Sequence, residues 1–532
     1  MLLEHEIRAL FNVVVERDAL NNRVISASDD SRVDSLLSGS KWGAGSVGTP
    51  VTITYSFPGQ SSVWQYTEEV NAGYTGLNSS QQSDFRAALD SWAEVSQIAF
   101  VEVADGTTYG DIRVAFTQAI SGNTLGYAYL PGSGSVSGSI ISPSAAAGDV
   151  WLNPTLTDLS SGSVGYSTLI HEVGHALGLK HSFEAEDGFP SLSTEFDTTQ
   201  YTVMSYTDYD GAGYVFEEVS GGYYTYQAVQ AETPMIYDIL AAQYMYGVDT
   251  TTRTGDDTYT FSVTAQLKTI WDAGGTDTID LSNQQVSADL NLEAGSYSDI
   301  GQRQVTYSGP LTQAEDNIAI AFGVTIENAI GTSYDDFLAG NAANNVLEGG
   351  GGNDQLDGKS GVDTAVFNGS KSAYTIAQST QGNATVIGAD GSDQLENIER
   401  LSFSDINVAL DLDGNAGAVA KIIGAVFGAA SVQNQNYMGI GIRYLDSGNS
   451  SEELMALAMS AAGVTTNESV VDRLYLNVVG IAPSDSVKSS FVQRLESGEF
   501  TNVSLGIMAS ELALNTQNIN LTGLTTSGVE YI

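Results

Sequence analysis

The chain of 532 residues contains no cysteine, 9 prolines and 4 histidines, and its 19 lysines and arginines face 64 aspartates and glutamates. Each shortage excludes something. Without cysteine there are no disulfides, no thiolate metal sites, no cysteine nucleophile and no thiolate latch on a zymogen. The compartment stays open, because metal ions can stabilise a secreted fold where disulfides are missing. A formal net charge of −45 repels phosphate backbones and anionic bilayers, so nucleic acid and bare membrane are poor partners and cations are good ones. Long apolar runs are also lacking. The longest apolar-rich stretch, residues 422–432, is far short of the roughly 18–20 residues that span a bilayer, so a soluble chain without a transmembrane segment is expected. Glu4, Glu6, Arg8, Glu16, Arg17 and Asp18 interrupt the first eighteen residues, which rules against a Sec-type signal peptide.

A hydrophobic content of 42% supports folded domains, and the length suits about three or four of them. Residues 1–37, charge-dotted and ending in a polar loop at 26–31, read as a detachable leader. Residues 38–250 have the pattern of a mixed α/β domain: 51–57 alternates as a strand, Phe85, Leu89, Trp92 and Val95 keep helical spacing, and 111–116 and 149–153 read as further strands. Over 251–370 helical periodicity gives way to Gly, Asp, Asn and Thr. Steps of nine from Gly331 yield GTSYDDFLA, GNAANNVLE, GGGGNDQLD and GKSGVDTAV. Gly stands first in each unit, Asp336, Asn345, Asp354 and Asp363 sixth, and an apolar residue eighth, which is the repeat of a calcium-binding parallel β-roll. Carbonyl oxygens and the sixth-position carboxylate would hold calcium, and the glycines let the turns close around it. Two units make one coil, so the turn at 331 should stack on that at 349, and 340 on 358. Asn345 and the missing glycines of the first two units predict weaker sites there. A short β-rich connector is expected over 371–410 and an all-α domain over 411–532, where Leu454, Leu457, Ala458, Val471, Leu474 and Val478 keep helical spacing.

Three of the four histidines fall in one eleven-residue window: His171-Glu172-Val-Gly-His175-Ala-Leu-Gly178-Leu-Lys-His181. On a helix His171 and His175 leave the same face one turn apart, and Gly178 can end the helix so that the chain returns His181 as a third nitrogen. Three neutral imidazoles leave a fourth tetrahedral position open for water, the arrangement of a catalytic zinc rather than a structural one. His5 reads as an ordinary surface residue.

With Thr202-Val-Met204-Ser-Tyr206 downstream, this motif resembles the metzincin metalloproteases and, within them, the serralysins, secreted bacterial proteases with a C-terminal calcium β-roll. The resemblance implies zinc held by His171, His175 and His181, Glu172 as general base, Met204 as an apolar floor under the ligands, and Tyr206 as a donor to the developing oxyanion. It makes 149–154 the edge strand that receives a peptide substrate by strand addition. Residues 236–248 resemble a family helix. The family binds calcium at the positions of Arg253 and Gly255 through carbonyls, and of Asp257, where threonine is usual. Asp272, Gly274, Gly275 and Asp277 lie on the opposite side of that site, and Thr325 and Glu327 lie at the mouth of the roll. Export unfolded through a type I secretion channel and folding in external calcium are implied as well, with 530–532 only loosely resembling the terminal signal. The helical part, through 409–417 and 473–480, resembles a module of unassigned function that accompanies such repeats, although Ile481 replaces a basic residue. Asp411, Asp413 and Asn415 imitate an EF-hand start, but Ile422 stands in place of the bidentate Glu, so no calcium is expected there.

The expected protein is thus a multidomain chain: an α/β metzincin protease domain, a parallel β-roll calcium domain and an all-α C-terminal domain. It is expected to be a secreted, extracellular, monomeric zinc endopeptidase carrying Zn²⁺ and Ca²⁺, with protein and peptide substrates, type I secretion machinery and a proteinaceous inhibitor as partner classes. Latency would be steric or through Asp29 or Asp30. Two rival classes are a calcium-dependent adhesion protein with a vestigial protease domain and a surface-layer protein that assembles on calcium addition.

Overall fold

The computed structural model describes residues 21–532 apart from 107, 187, 221–222, 380–382 and 526; His5 and the first part of the expected leader lie outside the described residues. Two compact units emerge, one comprising residues up to 277 with 284–286 and 293–326, the other 278–283, 287–292 and 327–532. Among the described residues no helix is long and apolar enough to cross a membrane.

The first unit is built on a sheet with spatial order Ile98–Glu102, Val51–Ser56, Ile112–Thr117, Val150–Leu152, Gly126–Ala128. All neighbours but the last pair run parallel. Ile112–Thr117 is buried along its whole length, as an interior strand covered on both faces must be. The helix Ser79–Ala93 starts with a capping box between Asn78 and Gln81 and buries Phe85, Leu89 and Trp92. Its Trp92 indole donates to the Ile170 carbonyl of the helix Val164–Leu177 at 3.2 Å, which fixes the two helices against each other.

One expectation is corrected here. The stretch 149–154 is not the edge of the sheet: Val150–Leu152 pairs with Ile112–Thr117 on one side and with Gly126–Ala128 on the other. Pro154 follows the strand, so its missing N–H removes no ladder bond. The edge is Gly126–Ala128. Residues 22–37 of the expected leader pack against the domain. Asn22–Val24 pairs with Ser40–Lys41 and Ile140–Pro143, and Leu36 and Leu37 are wholly buried in the core. The Lys180 amide donates to the Leu36 carbonyl at 2.7 Å, and the Lys180 ammonium donates to the Ser35 carbonyl at 2.5 Å. Cutting after 37 would strip this packing from the domain. Asp30, one of the two carboxylates expected as a latch, caps the helix Ser31–Asp34 and pairs with Arg32 at 2.7 Å.

The second unit winds as two parallel ladders. One runs Thr278–Asp280, Asn328–Ile330, Val346–Glu348, Thr364–Phe367, Arg400–Phe403, and the other Asp289–Asn291, Phe337–Ala339, Gln355–Asp357, Ser392–Glu396. Phe337 faces Gln355 and Val346 faces Thr364, the stacking of 331 on 349 and of 340 on 358 that the repeat implies. The eighth-position residues Leu338, Leu347, Leu356 and Ala365 fill the narrow interior. Residues 371–410 are less a connector than a continuation of these ladders: Gln355 pairs with Gln394 and Thr364 with Arg400. A hairpin, Thr375–Gln378 with Ala384–Ile387, is inserted before the next rung. Residues 388–396, GADGSDQLE, form a fifth nine-residue unit that the insertion displaces from register, with Asp393 sixth and Leu395 eighth.

Beyond this lie helices gathered around Asn415–Phe427, whose Ile422, Ile423, Ala425 and Val426 are buried. Strand Val529–Tyr531 returns to pair antiparallel with Asn407–Ala409, so the segment is not purely helical. Arg400, almost fully buried, pairs with Asp411 at 2.5 Å and Asp446 at 2.7 Å, which commits the first carboxylate of the EF-hand imitation to a guanidinium.

Replacing Leu36 by alanine should cost about 2–5 kcal/mol, read as a lower urea midpoint for the first unit. An unchanged midpoint would return residues 31–37 to a separable leader.

Candidate active site

Helix Val164–Leu177 is started by Ser163, whose hydroxyl accepts from the Tyr166 amide at 3.0 Å. It stops at Gly178, left-handed with φ 112°, where a Cβ would collide with the Ser40 carbonyl oxygen. The chain then turns back and brings His181 to the two helical histidines. The candidate ligand atoms of His171, His175 and His181 all lie within 4.8 Å of one another.

Backbone carbonyls fix how these rings present themselves. His171 Nδ1 donates to the Val203 carbonyl at 2.6 Å and His175 Nδ1 to the Leu179 carbonyl at 2.8 Å. A carbonyl only accepts, so Nδ1 carries the proton and Nε2 presents a lone pair. Burial pushes His171 down to about 4 and His175 well below the usual range, so both rings are neutral near pH 7. His175 Nε2 faces His181 Nε2 at 3.1 Å. Lone pairs held so close repel unless a cation draws them together, and three imidazole nitrogens are the donor set of zinc. On the far side of His181, Nδ1 meets the Glu184 carboxylate at 3.1 Å, and the Phe183 ring stacks on the imidazole at 5.0 Å between centroids. Glu184 and Phe183 were not legible as site residues. A carboxylate three positions beyond a ligand histidine was the available signal.

Met204 is fully buried, and a Cβ placed on Gly174 would come within 2.7 Å of its sulfur, so the turn lies directly beneath the helix between His171 and His175. What holds this turn is Asp238, in the first turn of helix Ile236–Tyr246. Its carboxylate accepts from the Thr202 hydroxyl at 2.6 Å, the Val203 amide at 2.7 Å and the Met235 amide at 2.8 Å. Desolvation pushes its carboxyl up to about 7 despite those three donors. Tyr206 is 69% exposed, and its hydroxyl stands 2.7 Å from His181 Nε2. Glu172 is buried, and its Oε2 has no partner among the described residues. Burial pushes its carboxyl up to about 8, the range of a group that takes and returns a proton near neutrality. The carboxyl lies against the edge strand: a Cβ on Gly126 would stand 2.9 Å from Glu172 Oε1.

A second cluster joins Asp257, Asp272 and Asp277, whose oxygens also approach within 4.8 Å of one another. Gly275 is needed there, because a Cβ would strike the Gly255 carbonyl oxygen, and Gly274 has φ 136°. Arg253 is left-handed at φ 52° and its guanidinium donates to the Trp271 carbonyl at 2.9 Å. Glu327, expected with Thr325 at the mouth of the roll, gives its backbone carbonyl to the Asn345 side chain at 3.0 Å. In the ladders each sixth-position carboxylate accepts from the coil before it: Asp354 from the Asp336 amide at 2.9 Å, Asp363 from the Asn345 amide at 2.7 Å, and Asp393 from the Asp354 amide at 3.0 Å. Burial pushes Asp354 and Asp363 up to about 7 and Asp393 to about 6, and bound cations would relieve that cost. Asn345 instead donates its amide to the Glu327 carbonyl and to Asn341, with no charge to neutralise.

Residues 65–212 match the family model described as Matrixin, 167–271 that of Met-zincin, and 236–432 that of the peptidase M10 serralysin C terminal. Similar proteins include a serralysin of Proteus mirabilis, 34% identical over 330 residues that cover 57% of this chain and 62% of the relative. Serralysin C of Dickeya chrysanthemi is 36% identical over 321 residues, 56% of this chain and 60% of that one. Metalloprotease AprA of Pseudomonas entomophila is 32% identical over 321 residues, again 56% and 60%. The chain thus matches about three fifths of the length of these curated relatives.

Asp238→Ala should weaken zinc binding about 10–100-fold, because the turn that orients His171 loses its anchor. Competition with a chromophoric chelator measures this, and an unchanged affinity would remove Asp238 from the site.

Proposed function

Because the chain is a serralysin-type metzincin, we propose that it is a secreted zinc endopeptidase that hydrolyses peptide bonds of extracellular proteins. The observation that carries this reading is the convergence of three imidazoles beside a buried glutamate and a free strand edge.

When bound to His171, His175 and His181, zinc supplies Lewis acidity, polarising the scissile carbonyl and lowering the pKa of water towards about 7. The substrate adds as a further strand along the outer edge of Gly126–Ala128, where main-chain groups have no partner strand among the described residues. That register carries the peptide past Glu172, which lies against Gly126. Glu172 takes a proton from the attacking water and later passes it to the leaving amine. Tyr206, whose phenol is protonated near neutral pH, turns from His181 to donate to the carbonyl oxygen as it becomes negative. Val203, Leu179 and Glu184 keep the three rings oriented throughout.

Calcium belongs in the same reading. Asp257, Asp272 and Asp277, with the carbonyls of Arg253 and Gly255, suit one ion, and the turns carrying Asp336, Asp354, Asp363 and Asp393 suit others within a β-roll. Carboxylates buried without counter-charge make such coils unstable until cations arrive, which fits a chain exported unfolded and folded outside the cell.

Glu172→Gln should retain one equivalent of zinc and lose about 10²–10⁴-fold in casein hydrolysis. Zinc-loaded wild type without activity would favour the adhesion reading, against which the intact motif counts. Calcium removal by EGTA should abolish the cooperative melt of the second unit in circular dichroism, and calcium should restore it without a rise in light scattering. A calcium-induced rise would favour the surface-layer reading.

A further inference from the structure

The edge strand Gly126–Ala128 is only three residues long and is paired on one side. Successive side chains of a strand face opposite ways. Gly126 faces Glu172, whereas Tyr127 reaches the other side of the sheet and finds a second buried glutamate, Glu69. Glu69 lies in the helix Glu68–Ala72 and is 1% exposed. Its Oε1 accepts from the Tyr127 hydroxyl at 2.8 Å and the Tyr129 hydroxyl at 2.6 Å, while Oε2 has no partner among the described residues. The Glu69 carbonyl accepts from Thr117 of the interior strand Ile112–Thr117 at 3.0 Å, which ties this helix to the sheet. Around the two tyrosines stand Tyr66, whose hydroxyl donates to Asp149 at 2.5 Å, and the Trp64–Trp151 pair.

We propose that Glu69 is a positioning residue for substrate: through Tyr127 and Tyr129 it fixes the strand along which the peptide backbone aligns. The proposal rests on the protease reading above. A strand with one three-residue ladder is marginal by itself. Two hydroxyl donors converge on one buried oxygen, so losing that acceptor leaves both without their partner. Glu69 therefore supplies the constraint that the free outer edge cannot. It touches neither substrate nor the zinc ligands, so its loss should act on alignment and leave the chemical step alone.

The test compares Glu69→Ala, Glu69→Gln and the double variant Tyr127→Phe with Tyr129→Phe on an eight-residue peptide and on a short peptide that barely reaches beyond the scissile bond. For Glu69→Ala and the double variant, KM for the long peptide should rise about 10-fold, with kcat and the short-peptide kcat/KM within about 2-fold of wild type. Glu69→Gln, which keeps a carbonyl acceptor, should recover much of the loss. In a Glu172→Gln background, the dissociation constant of the uncleaved long peptide, read by fluorescence anisotropy, should weaken by the same factor. If Glu69→Ala does not fold, the tyrosine variant, which keeps both rings, carries the test. An unchanged KM in a folded, zinc-loaded variant overturns the proposal, as does an equal loss on both peptides. Wild type that cleaves neither peptide overturns the protease reading and the proposal with it, a result distinct from the other two.

Discussion

The Val203 carbonyl is the point on which the histidine cluster of the first unit depends. It accepts the His171 proton, so the imidazole presents its other nitrogen inward, and the amide of the same residue is held by Asp238. Helix Val164–Leu177, the turn carrying Met204 and helix Ile236–Tyr246 are thereby joined through one residue. Gly174 permits it, because only a residue without a side chain lets the Met204 sulfur lie so near the helix axis. The cost is a fully buried carboxylate whose only relief is three donors.

The second unit obeys a different constraint, that of repeating charge. Every sixth-position carboxylate is turned inward to accept an amide from the preceding coil, so the backbone bonds that set the spacing also gather negative charge along a line. Apolar eighth residues provide too thin a core to outweigh this alone. The −45 of the whole chain is thus partly structural: the coils gather carboxylates that the proposed cations would neutralise.

Much of this was legible in the sequence because it rests on fixed spacings. The four-residue step from His171 to His175, the glycine at 178 and the nine-residue units encode geometry that tertiary context does not alter. What the sequence hid depends on contacts distant along the chain. Strand 150–152 reads as an edge only until Gly126–Ala128 pairs beside it, and residues 31–37 read as a leader because their polar neighbours mask Val33, Leu36 and Leu37, whose burial partners lie more than a hundred residues away. The unit at 388–396 escaped because an inserted hairpin breaks the register that makes repeats visible. Glu69 and Asp238 sit in helices where one acid looks unremarkable, and only the tyrosines and the turn above them disclose a role.

The pairing of Asn407–Ala409 with Val529–Tyr531 bears on the order of folding. The central coils of the ladder join residues eighteen apart, so each of these can form as soon as its predecessor exists. The outermost rung joins Asn407 to Tyr531, with a bundle of helices in the interval. Closing so long a loop costs entropy that grows with the logarithm of its length, and the helices must collapse first to shorten the search. A chain emerging from a ribosome therefore seals that edge of the ladder last, and until then presents an unpaired strand to whatever is nearby.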